Sequence, residues 1–136
     1  QKQIITTKQK QAVPKKKILA FTQSELFKDI SKSVKVCKEQ PFYINIPVKE
    51  LYESTSDEKI LVQGIIDLYY ITENNEIVLV DYKTDYVPEK QEQNLIEKYQ
   101  GQLSLYKRAL EQSLQRKISK IYIYSTYLEK AIKLWK

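Results

Sequence analysis

Asp67, Asp81 and Lys83 carry charge inside two strongly apolar runs of the stretch from Gly64 to Thr84, GIIDLYYITENNEIVLVDYKT. Charge placed there needs a partner. The two runs flank a polar break, Glu73-Asn74-Asn75-Glu76, and are rich in Ile, Val, Leu and Tyr, the composition of a β-hairpin. Both runs are apolar on both faces, so they read as central strands covered on each side. Side chains alternate along a strand, so Asp81 and Lys83 share one face.

Register decides whether Asp67 joins them. Thirteen residues separate Asp67 from Asp81. A two-residue turn at Asn74-Asn75 pairs Asp67 with Tyr82 and sends the carboxylates to opposite faces, whereas a three-residue loop, Glu73 to Asn75, sets Asp67 opposite Asp81. In the second register two carboxylates stand about 5 Å apart, a repulsion that a divalent cation bound by oxygen ligands relieves. The expectation is therefore an odd-length loop or a bulge, and a metal site. A buried salt bridge of Lys83 with one aspartate, the other being incidental, is the plainer alternative.

The elements that must position these groups follow from the rest of the chain. At 136 residues with formal net charge +6, one Cys and no His, it reads as one globular domain. There is no initiating Met, leader or long apolar run, which reads as a soluble segment of a longer protein. Cys37 without a partner, and the lack of His, exclude a disulfide framework and a zinc or iron–sulfur cluster held by this chain alone. That suits the cytoplasm, with Cys37 a small buried hydrophobe. The basic balance fits contact with phosphates, or simply a solvated lysine-rich surface.

Residues 1–20 read as a polar tether or docking segment, and residues 21–136 as the folded domain. Thr22 and Glu25 fit a capping box opening a short helix with Leu26, Phe27, Ile30 and Val34 on its apolar side. Val34–Glu39 and Phe42–Ile46 alternate as strand, interrupted at Pro41 or split into two. A long helix over 91–115 carries the stripe Leu95, Tyr99, Leu103, Tyr106, Leu110 and Leu114. Gln102 and Tyr106, four apart, share a face, which fits a helix flank as well as a site. Gly101 suits close approach to the sheet or to a substrate backbone. Ile121, Ile123 and Ser125 alternate with Tyr122, Tyr124 and Thr126 as a strand, and 131–135 reads as an edge strand. The pattern gives α/β with a mixed central sheet flanked by helices.

The GIID of Gly64–Asp67, the DYKT of Asp81–Thr84, and Gln102 and Tyr106 in YQGQLSLYKRAL resemble the GxxD, DYK and QxxxY motifs of the RecB-like branch of the PD-(D/E)XK nucleases. The resemblance runs from Phe21 to the C-terminus and is strongest to AddA-type helicase/nuclease domains, whose E-x-P-F is matched by Glu39–Phe42. It implies the restriction-endonuclease-like core and cleavage of DNA in break repair and recombination. It implies Mg²⁺, with Mn²⁺ as an alternative, held by Asp67, Asp81 and the main-chain carbonyl of Tyr82. Lys83 then orients or deprotonates the attacking water and stabilises developing charge. Gln102 and Tyr106 reach toward metal, lysine and DNA, and Glu39 has an accessory role or is a surface acid beside a turn.

The resemblance also implies an AddB-type partner subunit, no membrane, and ATP used only in a helicase region outside this chain, which lacks G-x-x-x-x-G-K-[ST]. One departure stands out. RecB-like nucleases carry a metal-ligand histidine on an upstream helix, and the resemblance places it before Gln1, so this segment alone is expected to be a poor nuclease. A non-catalytic domain that guides DNA or docks a partner, and a stand-alone RecB-like exonuclease, remain as alternative readings.

Overall fold

The computed structural model describes residues 14–53 and 55–135. Most of the stretch read as a polar tether lies outside the described residues. Its last part is helical: α1 spans Lys15–Thr22 and buries Phe21. Helix α2 (Glu25–Lys32) begins one turn later. Its N-cap is Ser24, not the expected Thr22: Ser24 is extended, and its Oγ accepts the Phe27 N–H at 3.1 Å. Thr22 cannot cap because it closes α1, donating its hydroxyl to the Leu19 carbonyl.

Strand β1 (Lys35–Pro47) leads through the short helix α3 (Val48–Leu51) to β2 (Lys59–Ile71) and β3 (Ile77–Lys83). A 3₁₀ turn at Pro88–Lys90 precedes α4 (Glu92–Leu114), β4 (Lys120–Ser125) and β5 (Lys130–Leu134). The five strands form one sheet in the order β1-β2-β3-β4-β5. Only β3 and β4 are parallel, with α4 as their crossover; the other neighbours are antiparallel. The fold is α/β with a mixed sheet.

Each face of the sheet has its own core. Ile77, Leu79, Ile121 and Ile123 pack under α4 with Leu95, Leu103 and Leu110, while Tyr99, Tyr106 and Leu114 of the same stripe are partly buried there. On the other face Leu68, Tyr70, Val78, Val80, Tyr82 and Tyr124 meet Phe21, Leu26 and Ile30 of α1 and α2. The Tyr70 hydroxyl donates to Asp29 at 2.6 Å and pins α2 to the sheet.

Three expectations change. β1 is continuous through Pro41, which a strand on the sheet edge tolerates because no neighbour needs its missing N–H. Cys37 is half-buried. Gly101 makes no close approach to the sheet: a Cβ there would meet nothing within 4 Å. Among the described residues no helix is long and apolar enough to cross a membrane.

Candidate active site

The β2–β3 turn sets the site. Asn75 N–H donates to the Thr72 carbonyl at 2.8 Å, and Thr72 N–H to the Glu76 carbonyl at 2.9 Å. Asn75 has φ 66°, so a turn followed by a left-handed residue closes a three-residue loop over Glu73–Asn75. The ladder then runs Ile71↔Ile77, Tyr70↔Val78, Tyr69↔Leu79 and Leu68↔Val80. One further step brings Asp67 across from Asp81. There the strands part, and the Asp67 carboxylate accepts the Tyr82 N–H at 2.9 Å. A side chain has replaced the ladder carbonyl, which holds Asp67 against β3.

β1 and β2 turn over at the same point. On the α4 side lie Cys37, then Phe42, Ile44 and Ile46 of β1, and Ile71 and Tyr69, then Ile66 and Val62 of β2. Odd positions give way to even ones, while the register passes unbroken from Lys38↔Leu68 to Gln40↔Ile66. Regular strands alternate, so both must rotate here. Glu39, with φ 51°, absorbs the rotation on β1 and stands across from Asp67. Its side chain is exposed. Among the described residues no group of three His, Cys, Asp or Glu is gathered for a metal, so Glu39 does not complete a triad with Asp67 and Asp81.

Asp81 and Lys83 lie on the α4 face with Ile77 and Leu79. Asp81 is 3% exposed, and its Oδ2 lies 2.9 Å from Lys83 Nζ. That oxygen has no directed hydrogen bond, so the contact with the ammonium is Coulombic. Lys83 Nζ donates to Gln102 Oε1 at 2.9 Å and stands 4.0 Å from the centre of the Tyr99 ring. α4 thus supplies two of the three groups that fix the ammonium. The Asp67 carboxyl is pushed up to about 7, first by burial and then by the Asp81 charge, against the Tyr82 N–H that favours its ionised form.

Tyr106 meets Phe42 edge to face, ring centres 5.1 Å apart. Burial, then the charges of Asp81 and Asp67, push its hydroxyl up to about 12. Phe42 in turn covers Gly64, where a Cβ would stand 2.9 Å from the ring. Gln102 thus reaches the cluster through Lys83, while Tyr106 packs on Phe42 and feels the charges of both aspartates.

Sequence reasoning missed the part played by Tyr99, which it placed only in the core stripe. Tyr99 lies three residues before Gln102, the helical spacing that makes neighbours, and this was the available signal. Its hydroxyl donates to Asp85 at 2.8 Å, and Lys98 Nζ meets the same carboxylate at 2.6 Å, so the strand exit is tied to α4.

The donors suit a hard cation. Two carboxylates meet at the parting of the strands, one oxygen lacks a hydrogen bond, and Asp67 ionises reluctantly even with Lys83 nearby. An all-oxygen set with few protein ligands and room for water is what Mg²⁺ takes.

A family model described as the PD-(D/E)XK nuclease superfamily matches residues 5–133. The chain is 43% identical over 128 residues to an ATP-dependent helicase/nuclease subunit of Ruminiclostridium cellulolyticum, covering 90% of this chain and 10% of that protein. It is 39% identical over 137 residues to the protein of the same name from Clostridium acetobutylicum, covering 98% and 11%. The Clostridium novyi protein of that name is 37% identical over 139 residues, again covering 98% and 11%. The chain thus spans about a tenth of the length of these curated relatives.

Proposed function

The chain belongs to the PD-(D/E)XK nuclease superfamily, and on that premise we propose that it is a Mg²⁺-dependent DNA nuclease domain centred on Asp67, Asp81 and Lys83. The observation that carries this reading is the contact of buried Asp81 with Lys83 at 2.9 Å, beside an Asp67 whose carboxyl is held up to about 7.

Asp67, Asp81 and the main-chain carbonyl of Tyr82, which shares the strand edge of its N–H, would hold Mg²⁺ or Mn²⁺. When bound, the ion supplies Lewis-acid polarisation of the phosphate and a water acidic enough to attack near neutral pH. Lys83 orients that water and offsets the charge that grows on the phosphate oxygens. Gln102 and the Tyr99 ring keep the ammonium in place. Tyr106 stays protonated at neutral pH and offers an O–H to a phosphate oxygen. Glu39, on the rim, serves as an accessory acid near the strand opening.

We place ATP-driven unwinding in the remainder of a longer protein, as the relatives' name supports, and break repair in the cytoplasm as its setting. That the relatives are named as subunits supports an AddB-type partner.

The test is cleavage of labelled single- and double-stranded DNA by the full-length protein with and without Mg²⁺. Asp81→Ala is expected to abolish cleavage and leave DNA affinity equal or higher, since one negative group facing phosphates is lost. Wild-type cleavage by Asp81→Ala would sink the assignment. Metal-independent binding with no cleavage by the unaltered protein would favour a DNA-guiding domain instead.

A further inference from the structure

Past Lys83 the chain leaves the sheet and presents an aromatic pair to solvent. Tyr86 is 67% exposed and Tyr127 38%, with ring centres 4.9 Å apart at an interplanar angle of 78°. Burial would favour rings of this size, so two of them facing water together call for an explanation. Tyr86 follows Lys83 by three residues, at most about 10 Å along extended backbone. Tyr127 lies in the turn between β4 and β5, and the neighbouring Thr126 N–H donates to the Lys83 carbonyl at 3.0 Å. Both residues thus stand near the Lys83 backbone, Tyr86 along the chain and Tyr127 next to the residue that hydrogen-bonds it.

An ion pair borders the group. Lys17 of α1 donates to the Tyr127 carbonyl at 3.1 Å and lies 5.8 Å from the Tyr127 ring centre, while pairing with Glu129 at 2.7 Å. The pair sits at the carboxyl ends of the parallel strands β3 and β4, the end of an α/β sheet at which ligands bind. Exposed rings offer their faces to unpaired bases. Bases are free to stack on protein rings when the strand is single; in a duplex their faces are already covered.

We propose that Tyr86 and Tyr127 form a sequence-tolerant stacking platform for the bases of a single-stranded polynucleotide, next to the Asp67, Asp81 and Lys83 cluster. The relation of the platform to a reacting phosphate rests on the nuclease reading; the stacking itself does not. The platform selects single-stranded over double-stranded substrate and seats a base a short step along the strand from Lys83.

The test measures binding of this chain to a single-stranded oligonucleotide and to its duplex in chelator, without metal. Tyr86→Ala, Tyr86→Leu and Tyr127→Ala are each expected to weaken single-strand binding about tenfold, Tyr86→Trp to keep it within about twofold, and duplex binding to change by less than about twofold. Irradiating the unaltered chain with a 5-iodouracil single strand is expected to crosslink the peptide bearing Tyr86 or Tyr127, a readout that does not depend on variant folding. The proposal is overturned by alanine variants that bind like the unaltered chain, as they would if the pair seats a protein partner. Leucine that preserves affinity, equal losses on duplex, or crosslinks only elsewhere overturn it as well. Cleavage is scored separately, with Mg²⁺ and the full-length protein. Intact stacking without cleavage removes the nuclease reading and keeps the platform; cleavage with tyrosine-independent binding does the reverse.

Discussion

Gly64 lies against the Phe42 ring so closely that a Cβ on it would stand 2.9 Å from Cε2, and the same ring meets Tyr106 edge to face at 5.1 Å. The glycine is needed for space, since its φ is not positive. Gly64→Ala is expected to push Phe42 toward Tyr106, at a cost of about 1–3 kcal/mol from overpacking, and to lower cleavage by moving the Tyr106 hydroxyl. Urea unfolding and cleavage rates check this. Phe42→Leu in the same background should recover part of the stability, and an alanine variant as stable as the unaltered chain would refute the packing account.

Gly101 gives the opposite sign. It lies inside α4, where a Cβ would meet nothing within 4 Å, so alanine gains helix propensity without a clash. Gly101→Ala is expected to raise stability by about 1 kcal/mol. If the same substitution slows cleavage while stabilising the fold, position 101 borders the substrate.

The Asp67 carboxyl makes stability depend on pH in the metal-free protein. Its folded value of about 7 lies above the ordinary 3.8, so between these limits the folded chain holds a proton that the unfolded chain has lost. This contribution is fully present below about pH 4 and is lost as pH rises through 7, with a ceiling of about 4 kcal/mol. Thermal unfolding of the unaltered chain and Asp67→Asn at pH 5 and pH 8 should show the variant gaining on the unaltered chain as pH rises, with the larger gap at pH 8. Parallel curves would show that Asp67 ionises normally.

Much of this was legible because it rests on local pattern. The apolar runs, the odd spacing of Asp67 and Asp81, and the four-residue step from Gln102 to Tyr106 are properties of neighbouring residues, and the strands and helix follow them. What escaped depends on contacts distant in sequence. The rotation of β1 at Glu39 accompanies a change of face in β2 across from it, and no residue type announces it, since Glu39 adopts a left-handed backbone that glutamate has no preference for. The cap moved from Thr22 to Ser24 because Phe21 is drawn into the core by a helix in a segment that reads as merely polar. Tyr86 and Tyr127 are 41 positions apart, and only the pairing of β3 with β4 brings them together.

Lys83 and Asp81 make opposite predictions for a metal. The ammonium neutralises Asp81 in the structure, and a cation bound to the aspartates would neutralise it as well. Lys83→Met leaves a buried carboxylate without its partner and is expected to cost about 3–5 kcal/mol in the absence of metal. Mg²⁺ should then restore more stability in Lys83→Met than in the unaltered chain, because a competing positive charge is gone. At a concentration one hundred times its Kd, Mg²⁺ adds about 2.7 kcal/mol to a chain that binds it only when folded. Asp81→Ala should show no such gain, since a main-chain carbonyl and one carboxylate hold the ion poorly. Thermal unfolding with and without Mg²⁺ distinguishes these outcomes. A Mg²⁺ response that survives Asp81→Ala and disappears in Lys83→Met would mean that the aspartates do not hold the ion.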